Sequence, residues 1–93
     1  MFIKWLTPAR QDIAALVEWY THNAPEHLAS VAQRIWDASL SLQTLPIRGR
    51  AGFVEGTREL LIPQSPYMLV YVIQGSEVVI VRLLHQHQRW PEV

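Results

Sequence analysis

The chain is 93 residues long, contains no cysteine, and balances eight Lys and Arg residues against eight Asp and Glu residues. This length predicts one domain, 1–93, and an apolar fraction of 49% is enough for a globular core. The lack of cysteine excludes disulfides and thiolate chemistry, and a formal charge of zero provides no overall field to attract a polyanion. No apolar run reaches the roughly 18 residues that a membrane span needs, so we expect a cytoplasmic protein without membrane contact.

One strand and one helix are predicted at the start of the chain. The apolar run Phe2–Leu6 is long enough for a strand. Thr7 is a suitable N-cap and Pro8 a suitable first helical residue, with Asp12 close enough to favour the positive end of the helix dipole while staying in solvent. Apolar residues at i, i+3, i+4 and i+7 predict one buried face, formed by Ile13, Leu16, Val17 and Tyr20.

A second helix is predicted after a short break. Asn23 ends the first helix, and Pro25 opens the next one with Glu26 in its first turn. This helix continues to Pro46, a length of about 20 residues or roughly 30 Å. Its apolar stripe consists of Leu28, Val31, Ala32, Ile35, Leu42 and Leu45. The short link between the helices predicts an antiparallel helix hairpin.

The segment Pro46–Thr57 is predicted to be a connecting loop. It contains glycines and carries Arg48 and Arg50. The glycine spacing matches neither GxGxxG nor GxxxxGK[ST], and the segment does not follow a strand. We therefore expect no nucleotide site there and no small-molecule cofactor.

Three strands are predicted in the second half of the chain. The apolar runs are Arg58–Ile62, Tyr67–Ile73 and Glu77–Leu84. Prolines separate the first two runs, and Gln74-Gly75-Ser76 is a plausible tight turn between the last two, so the strands should form an antiparallel meander. The sequence thus predicts an α+β, two-layer fold of order β-α-α-β-β-β, with the helix hairpin on one face of the sheet.

Few residues in the sequence have an obvious chemical role. His85 and His87 would share a face of an extended strand end, but a metal needs three or four ligands and no Asp or Glu stands close by to complete the set, so surface histidines and no metal site are expected. Arg58 and Glu59 could anchor a partner or pair across strands, and both readings stay open. The tryptophans within regular elements are expected to pack in the core or at its rim: Trp5, Trp19 and Trp36.

Several short sequences, in order, resemble the RelE/ParE superfamily of toxins from type II toxin–antitoxin modules. LPIRGRAG follows the helix pair, and GTRELLI, SPYMLVYVI and VVIVRLLHQHQRWP come after it. The resemblance extends from Trp5 to Pro91. It implies a small sheet with a helix hairpin and a plasmid-stabilisation-like toxin that arrests growth. It also implies a cognate antitoxin, with an otherwise disordered segment that folds onto the toxin.

Two activities compete within this superfamily. RelE-like members are similar to ribosome-dependent mRNA endonucleases, with basic and acid–base side chains on the concave face and at the C-terminal end of the sheet, whereas ParE-like members inhibit DNA gyrase. Where RelE-like chains usually carry an Arg, this sequence has Met68, which can neither donate a proton nor stabilise a phosphorane charge. The missing cation and the zero net charge favour a gyrase inhibitor that is not itself an enzyme.

Two alternatives stay open. If the chain is an mRNA endoribonuclease, its catalytic residues are expected among His85, His87 and Arg89, because a histidine with a pKa of about 6.5 can act as general acid or base. If toxicity has been lost, the chain serves as a regulatory partner of its antitoxin. In any of these cases, binding to the antitoxin or to the target is expected to involve Arg48, Arg50, Arg58, Arg89 and Trp90.

Overall fold

A computed structural model of the chain describes residues 1–91. Its elements are β1 (Phe2–Trp5), α1 (Thr7–Asn23), α2 (Pro25–Thr44), β2 (Arg50–Ala51), β3 (Arg58–Leu61), β4 (Tyr67–Gln74) and β5 (Glu77–His85). The predicted α+β class and the order of its elements are confirmed, and the short strand β2 is an addition within the predicted loop. Neither helix in residues 1–91 is long and apolar enough to cross a membrane.

The strands form one mixed sheet in the order β1-β5-β4-β3-β2. The predicted meander is present, because β3 pairs antiparallel with β4 and β4 with β5. β1 lies parallel to β5, with Phe2 opposite Glu77, and the two helices supply the long connection that parallel neighbours require. The predicted strand ends differ by one residue, since Leu6 and Ile62 fall outside the strands while Gln74 and His85 fall inside.

The helices form a hairpin with Ala24 as the only linking residue. α2 begins at Pro25 and has Glu26 in its first turn, as predicted. The predicted cap of α1 is wrong by one residue: Thr7 is already helical and Leu6 occupies the N-cap without a side-chain hydrogen bond. The hydroxyl of Thr7 instead accepts a hydrogen bond from the Arg10 guanidinium, at 3.1 Å.

The main core lies between the helix hairpin and one face of the sheet. Its buried members from the helices include the predicted Leu16, Val31, Ile35 and Leu42, and those from the sheet are Leu60, Leu69, Tyr71, Val78, Ile80 and Leu83. Val17, Ala32 and Leu45 were predicted in the apolar stripes and are exposed. Val17 lines an open groove between the helices, and Leu45 follows the last residue of α2, where the chain turns away from the core.

One buried phenol fixes the connection between α2 and β2. Tyr71 is completely buried; its hydroxyl donates to the carbonyl oxygen of Pro46 at 2.7 Å and accepts from the backbone N–H of Gly49 at 2.8 Å. A Cβ at Gly49 would lie 2.7 Å from that hydroxyl oxygen, so only glycine allows this approach. The hydrogen bonds of Tyr71 therefore hold the backbone on which the neighbouring Arg48 and Arg50 stand.

A second, smaller apolar cluster lies on the sheet face that the helices do not cover. Met68, Val70 and Leu84 are buried there, and the half-buried Trp90 packs against them. Met68 and Leu84 are direct partners across β4 and β5. Because side chains alternate between the two faces of a strand, Leu69 and Tyr71 belong to the main core while Met68 and Val70 belong to this second cluster.

Candidate functional site

The tail after β5 brings acid–base side chains close to the start of β4. The rings of Tyr67 and His85 are 5.9 Å apart, edge to face, and the rings of His85 and His87 are 5.4 Å apart. The backbone N–H of His87 donates to Nδ1 of His85 at 3.2 Å. Both histidines and Arg89 are exposed, as expected for the histidines. Within residues 1–91, no three His, Asp or Glu side chains are grouped so that they could hold a metal ion.

Tyr67 is a member of this group that the sequence did not single out. Its hydroxyl lies 3.1 Å from that of Tyr20 on α1. Burial, followed by the hydrogen bond and the charge interaction with Tyr20, raises the pKa of Tyr67 to about 12. At neutral pH this phenol keeps its proton, so it could donate a proton but could not act as a base.

Met68 is the residue that stands where the resemblance to RelE-like chains leads us to expect an Arg. It is buried in the second cluster, and Trp90 covers that cluster from the tail. The side chain at this position is therefore a buried thioether within an apolar cluster, while the charged Glu59 and Arg82 are the cross-strand partners of the neighbouring Val70. Trp90 owes its half-buried state to its contact with that cluster, so the tail that follows His85 folds back over the sheet.

Three of the predicted binding arginines lie together around the start of β3. Arg48 donates to the hydroxyl oxygen of Ser41 at 2.7 Å. Arg58 donates to the carbonyl oxygens of Ile47 and Gly49, at 3.3 and 2.8 Å. Arg50 pairs with Glu59 on the neighbouring strand, so the cross-strand reading of Glu59 is the one observed. Arg89 is not part of this group, since it lies in the tail after β5.

Asp12 is not the solvent-exposed residue that the sequence predicted. It is half-buried, and its carboxylate accepts from Arg82 in bidentate fashion, at 2.7 and 3.0 Å, and from the backbone N–H of Leu83 at 3.0 Å. β1 ends at Trp5, so Asp12 satisfies an edge N–H of β5 beyond the paired residues. A single Arg within the apolar run VVIVRLL was a signal for such a buried partner.

An open apolar groove lies between the two helices and reaches Trp5 of β1. It has a volume of about 350 Å³ and is lined by Trp5, Arg10, Ile13, Leu16, Val17, Ala32, Ile35 and Trp36. Trp36 on α2 is 55% exposed, and Trp19 on α1, outside the groove, is exposed to the same extent. The expectation that all three helix and strand tryptophans pack in or around the core is therefore wrong for these two, whereas Trp5 does pack against it.

Comparisons with known proteins agree on one family. The protein-family model of the ParE toxin of the type II toxin–antitoxin system parDE matches residues 3–90. "Putative toxin Y4kP" of Sinorhizobium fredii is 33% identical over 91 residues, covering 98% of this chain and 94% of that protein. "Toxin RelE1" of Caulobacter vibrioides is 34% identical over 79 residues, covering 83% and 84%.

A solved structure agrees with the family match and with the fold. A chain from the chromosomal ParDE toxin–antitoxin system of P. aeruginosa superposes with a TM-score of 0.82 and 27% identity, over 91% of this chain and 95% of that one. The matched length includes the helix hairpin, the meander and the tail region up to Trp90. The chain therefore belongs to the ParE toxin family of type II toxin–antitoxin systems.

Proposed function

We propose that this toxin arrests growth in the cytoplasm by inhibiting DNA gyrase and that a cognate antitoxin neutralises it. The observation that carries the choice of target is the apolar sheet face formed by Met68, Val70 and Leu84 under Trp90. Phosphodiester cleavage by a side-chain set needs a base for the 2′-hydroxyl, a proton donor for the leaving oxygen and positive charge at the phosphate. A buried thioether provides none of these groups.

The remaining acid–base residues are poorly arranged for catalysis. His85 and His87 are exposed, and Tyr67 is held protonated. Catalytic groups must be fixed within a fraction of an ångström by surrounding contacts, and both histidines are exposed, although His85 contacts Tyr67 and accepts from the N–H of His87. Arg89 and Trp90 are better suited to contacting a protein target, because Arg and Trp are the residue types that most often dominate protein interfaces.

The test is to run two assays on one preparation of the purified toxin. We expect inhibition of gyrase supercoiling with accumulation of cleaved DNA complexes, and no cleavage of mRNA on translating ribosomes. Arg89→Ala and Trp90→Ala should weaken the gyrase effect, while Glu18→Ala, on an exposed part of α1, should leave it unchanged.

A second candidate, ribosome-dependent mRNA cleavage, is favoured by the grouping of Tyr67, His85 and His87. Under this alternative, His87→Ala would lower cleavage by about 10² or more. Codon-position-specific cuts in mRNA that disappear in His87→Ala, with gyrase unaffected, would establish this alternative and reject the gyrase proposal.

The groove between the helices supports the second part of the proposal, an antitoxin partner. Disordered segments that fold on binding commonly place the apolar face of a helix in such a groove. Trp36 and Val17 are exposed apolar residues along it. Acidic residues on the same antitoxin segment would be matched by Arg10, which lines the groove.

Thermal shift and calorimetry test the antitoxin partner directly. A cognate antitoxin at about 100 times its Kd should stabilise the toxin by about 2.7 kcal/mol, and Trp36→Ala should weaken binding more than Trp19→Ala. An antitoxin that leaves the melting temperature unchanged and does not bind below micromolar concentration would contradict the proposed partner.

A further inference from the structure

The most exposed large apolar side chain in residues 1–91 stands at the tip of the β2–β3 hairpin. Phe53 is 83% exposed, and Ile47, in the connection that leads into β2, is 68% exposed. An aromatic ring left in water contributes almost nothing to the stability of the fold, because its apolar area is not removed from solvent. Its presence on the surface therefore needs an explanation other than stability.

The backbone beneath Phe53 is held firmly. Its N–H donates to Oε2 of Glu59 at 3.1 Å, while Oε1 of the same carboxylate accepts from Nε and Nη2 of Arg50 at 3.2 and 3.1 Å. The N–H of Gly52 donates to the carbonyl oxygen of Thr57 at 2.8 Å, and a Cβ at Gly52 would overlap the Thr57 hydroxyl. The tip is thus a fixed turn rather than a loose loop.

The support beneath the tip is energetically demanding. Glu59 is only 8% exposed, and burying a carboxylate is costly unless it is paired and hydrogen-bonded. Here the buried carboxylate of Glu59 accepts from the N–H of Phe53 and so holds the turn that carries the exposed Phe53 ring. A group fixed in its bound conformation loses little entropy on association, so a pre-organised aromatic tip favours binding to a partner.

The shape and charge of the tip define the partner. A protruding ring needs a preformed concave pocket, which a folded protein has and a disordered segment lacks. Residues 45–59 carry three arginines, Arg48, Arg50 and Arg58, against Glu55 and the Arg50-paired Glu59, a surplus of one positive charge (three minus two), so the surface around the pocket should be acidic. The helix groove, by contrast, is concave and suits a segment that folds on binding.

We infer that Phe53 is the anchor by which this toxin binds its target, a folded protein that presents an apolar pocket within an acidic surface. The inference rests on the proposed function only in taking the chain as an active toxin. The surface that binds the target is then separate from the helix groove that binds the antitoxin.

The test compares Phe53→Ala with Trp19→Ala, an exposed aromatic residue on α1 outside both surfaces. Phe53→Ala should weaken inhibition of the target at least about 30-fold and release growth arrest. Its melting temperature and its affinity for the antitoxin should match those of wild type, because the ring is exposed and lies outside the groove. Trp19→Ala should behave as wild type in all three measurements, and Phe53→Trp should retain most of the inhibition.

Charge variants separate recognition from folding. Arg48→Glu should weaken inhibition and Glu55→Gln should strengthen it, and these opposite signs are not what a folding defect would produce. Growth arrest that persists in Phe53→Ala would overturn the inference, and so would a parallel loss of antitoxin binding. If wild type spares gyrase while Phe53→Ala still abolishes growth arrest, gyrase is the wrong target and the anchor stands. A wild-type chain that arrests no growth would reject both.

Discussion

The two faces of the sheet differ in what covers them and in how much charge they carry. On one face, α1 and α2 bury a continuous core that includes Ile35, Tyr71 and Ile80. On the other face, Met68, Val70 and Leu84 form a smaller cluster against which the half-buried Trp90 packs, and the charged Glu59 and Arg82 are the cross-strand partners of Val70. The comparison teaches that the helix-covered face, with the larger core, should provide most of the stability, while the opposite face combines a small apolar cluster with charged neighbours.

The largest expected effect is on the helix-covered face. Ile35→Ala should lower the free energy of unfolding by about 2 to 5 kcal/mol, because it leaves a cavity between α2 and the sheet. Leu40→Ala, on the exposed side of the same helix, should cost less than about 1 kcal/mol. Urea unfolding measures both. A loss below about 0.5 kcal/mol for Ile35→Ala would remove the distinction between the two faces.

Asp12 tests how firmly α1 is attached to the edge of the sheet. Asp12→Ala removes the carboxylate that accepts from Arg82 and from the N–H of Leu83, so we expect a loss of about 1 to 3 kcal/mol. Glu18→Ala, an exposed acid on the same helix, should stay within about 0.5 kcal/mol of wild type. Equal effects of the two substitutions would show that the Asp12 contacts do not contribute to stability.

Trp90 tests the thin cover of the opposite face. Trp90→Ala should lower the free energy of unfolding by about 1 to 2 kcal/mol, less than Ile35→Ala, because the indole is only half-buried and its loss leaves no enclosed cavity. Trp19→Ala provides the control for removing an exposed indole. If Trp90→Ala destabilised the protein as much as Ile35→Ala, the opposite face would be a second core.

The smallest expected effect concerns pH and Tyr67. Its pKa of about 12 in the folded protein exceeds the ordinary value of 10.0, so the unfolded chain loses this proton first as pH rises. The contribution of protonated Tyr67 to the free energy of unfolding is therefore complete below pH 10 and is lost between about pH 10 and 12. The melting temperature of wild type should fall more steeply over that range than that of Tyr67→Phe. Parallel curves for the two proteins would contradict the raised pKa.

Local sequence signals predicted much of the fold. Pro25 and Glu26 marked the start of α2, and the apolar runs marked the three strands of the meander within one residue at each end. β2 escaped prediction because two residues, Arg50 and Ala51, carry no periodicity and pair only through their distant partners on β3. The parallel pairing of β1 with β5 is likewise a property of the whole chain.

The errors in burial have a common physical origin. Helical periodicity identifies a stripe but not its width, so Val17 and Leu45 were assigned to the core although the sheet does not reach them. Asp12 was placed in solvent because its partner is 70 residues away in sequence. For the candidate site, the tail residues and arginines could be named from sequence. The rigid support of Phe53 could not, because it depends on the Arg50–Glu59 pair across two strands.

The pairing of β1 with β5 has a consequence for when a newly made toxin molecule can become harmful. Phe2–Trp5 leaves the ribosome before the rest of the sheet, but its strand neighbour in the described residues, Glu77–His85, is synthesised more than 70 residues later. Contacts this distant in sequence form only after the intervening chain is available. A nascent chain, or a fragment from a message broken before the codons for β5, cannot close the sheet. We therefore expect toxicity to begin only after β5 has emerged, which leaves an interval during synthesis in which the cell is not yet exposed to folded toxin.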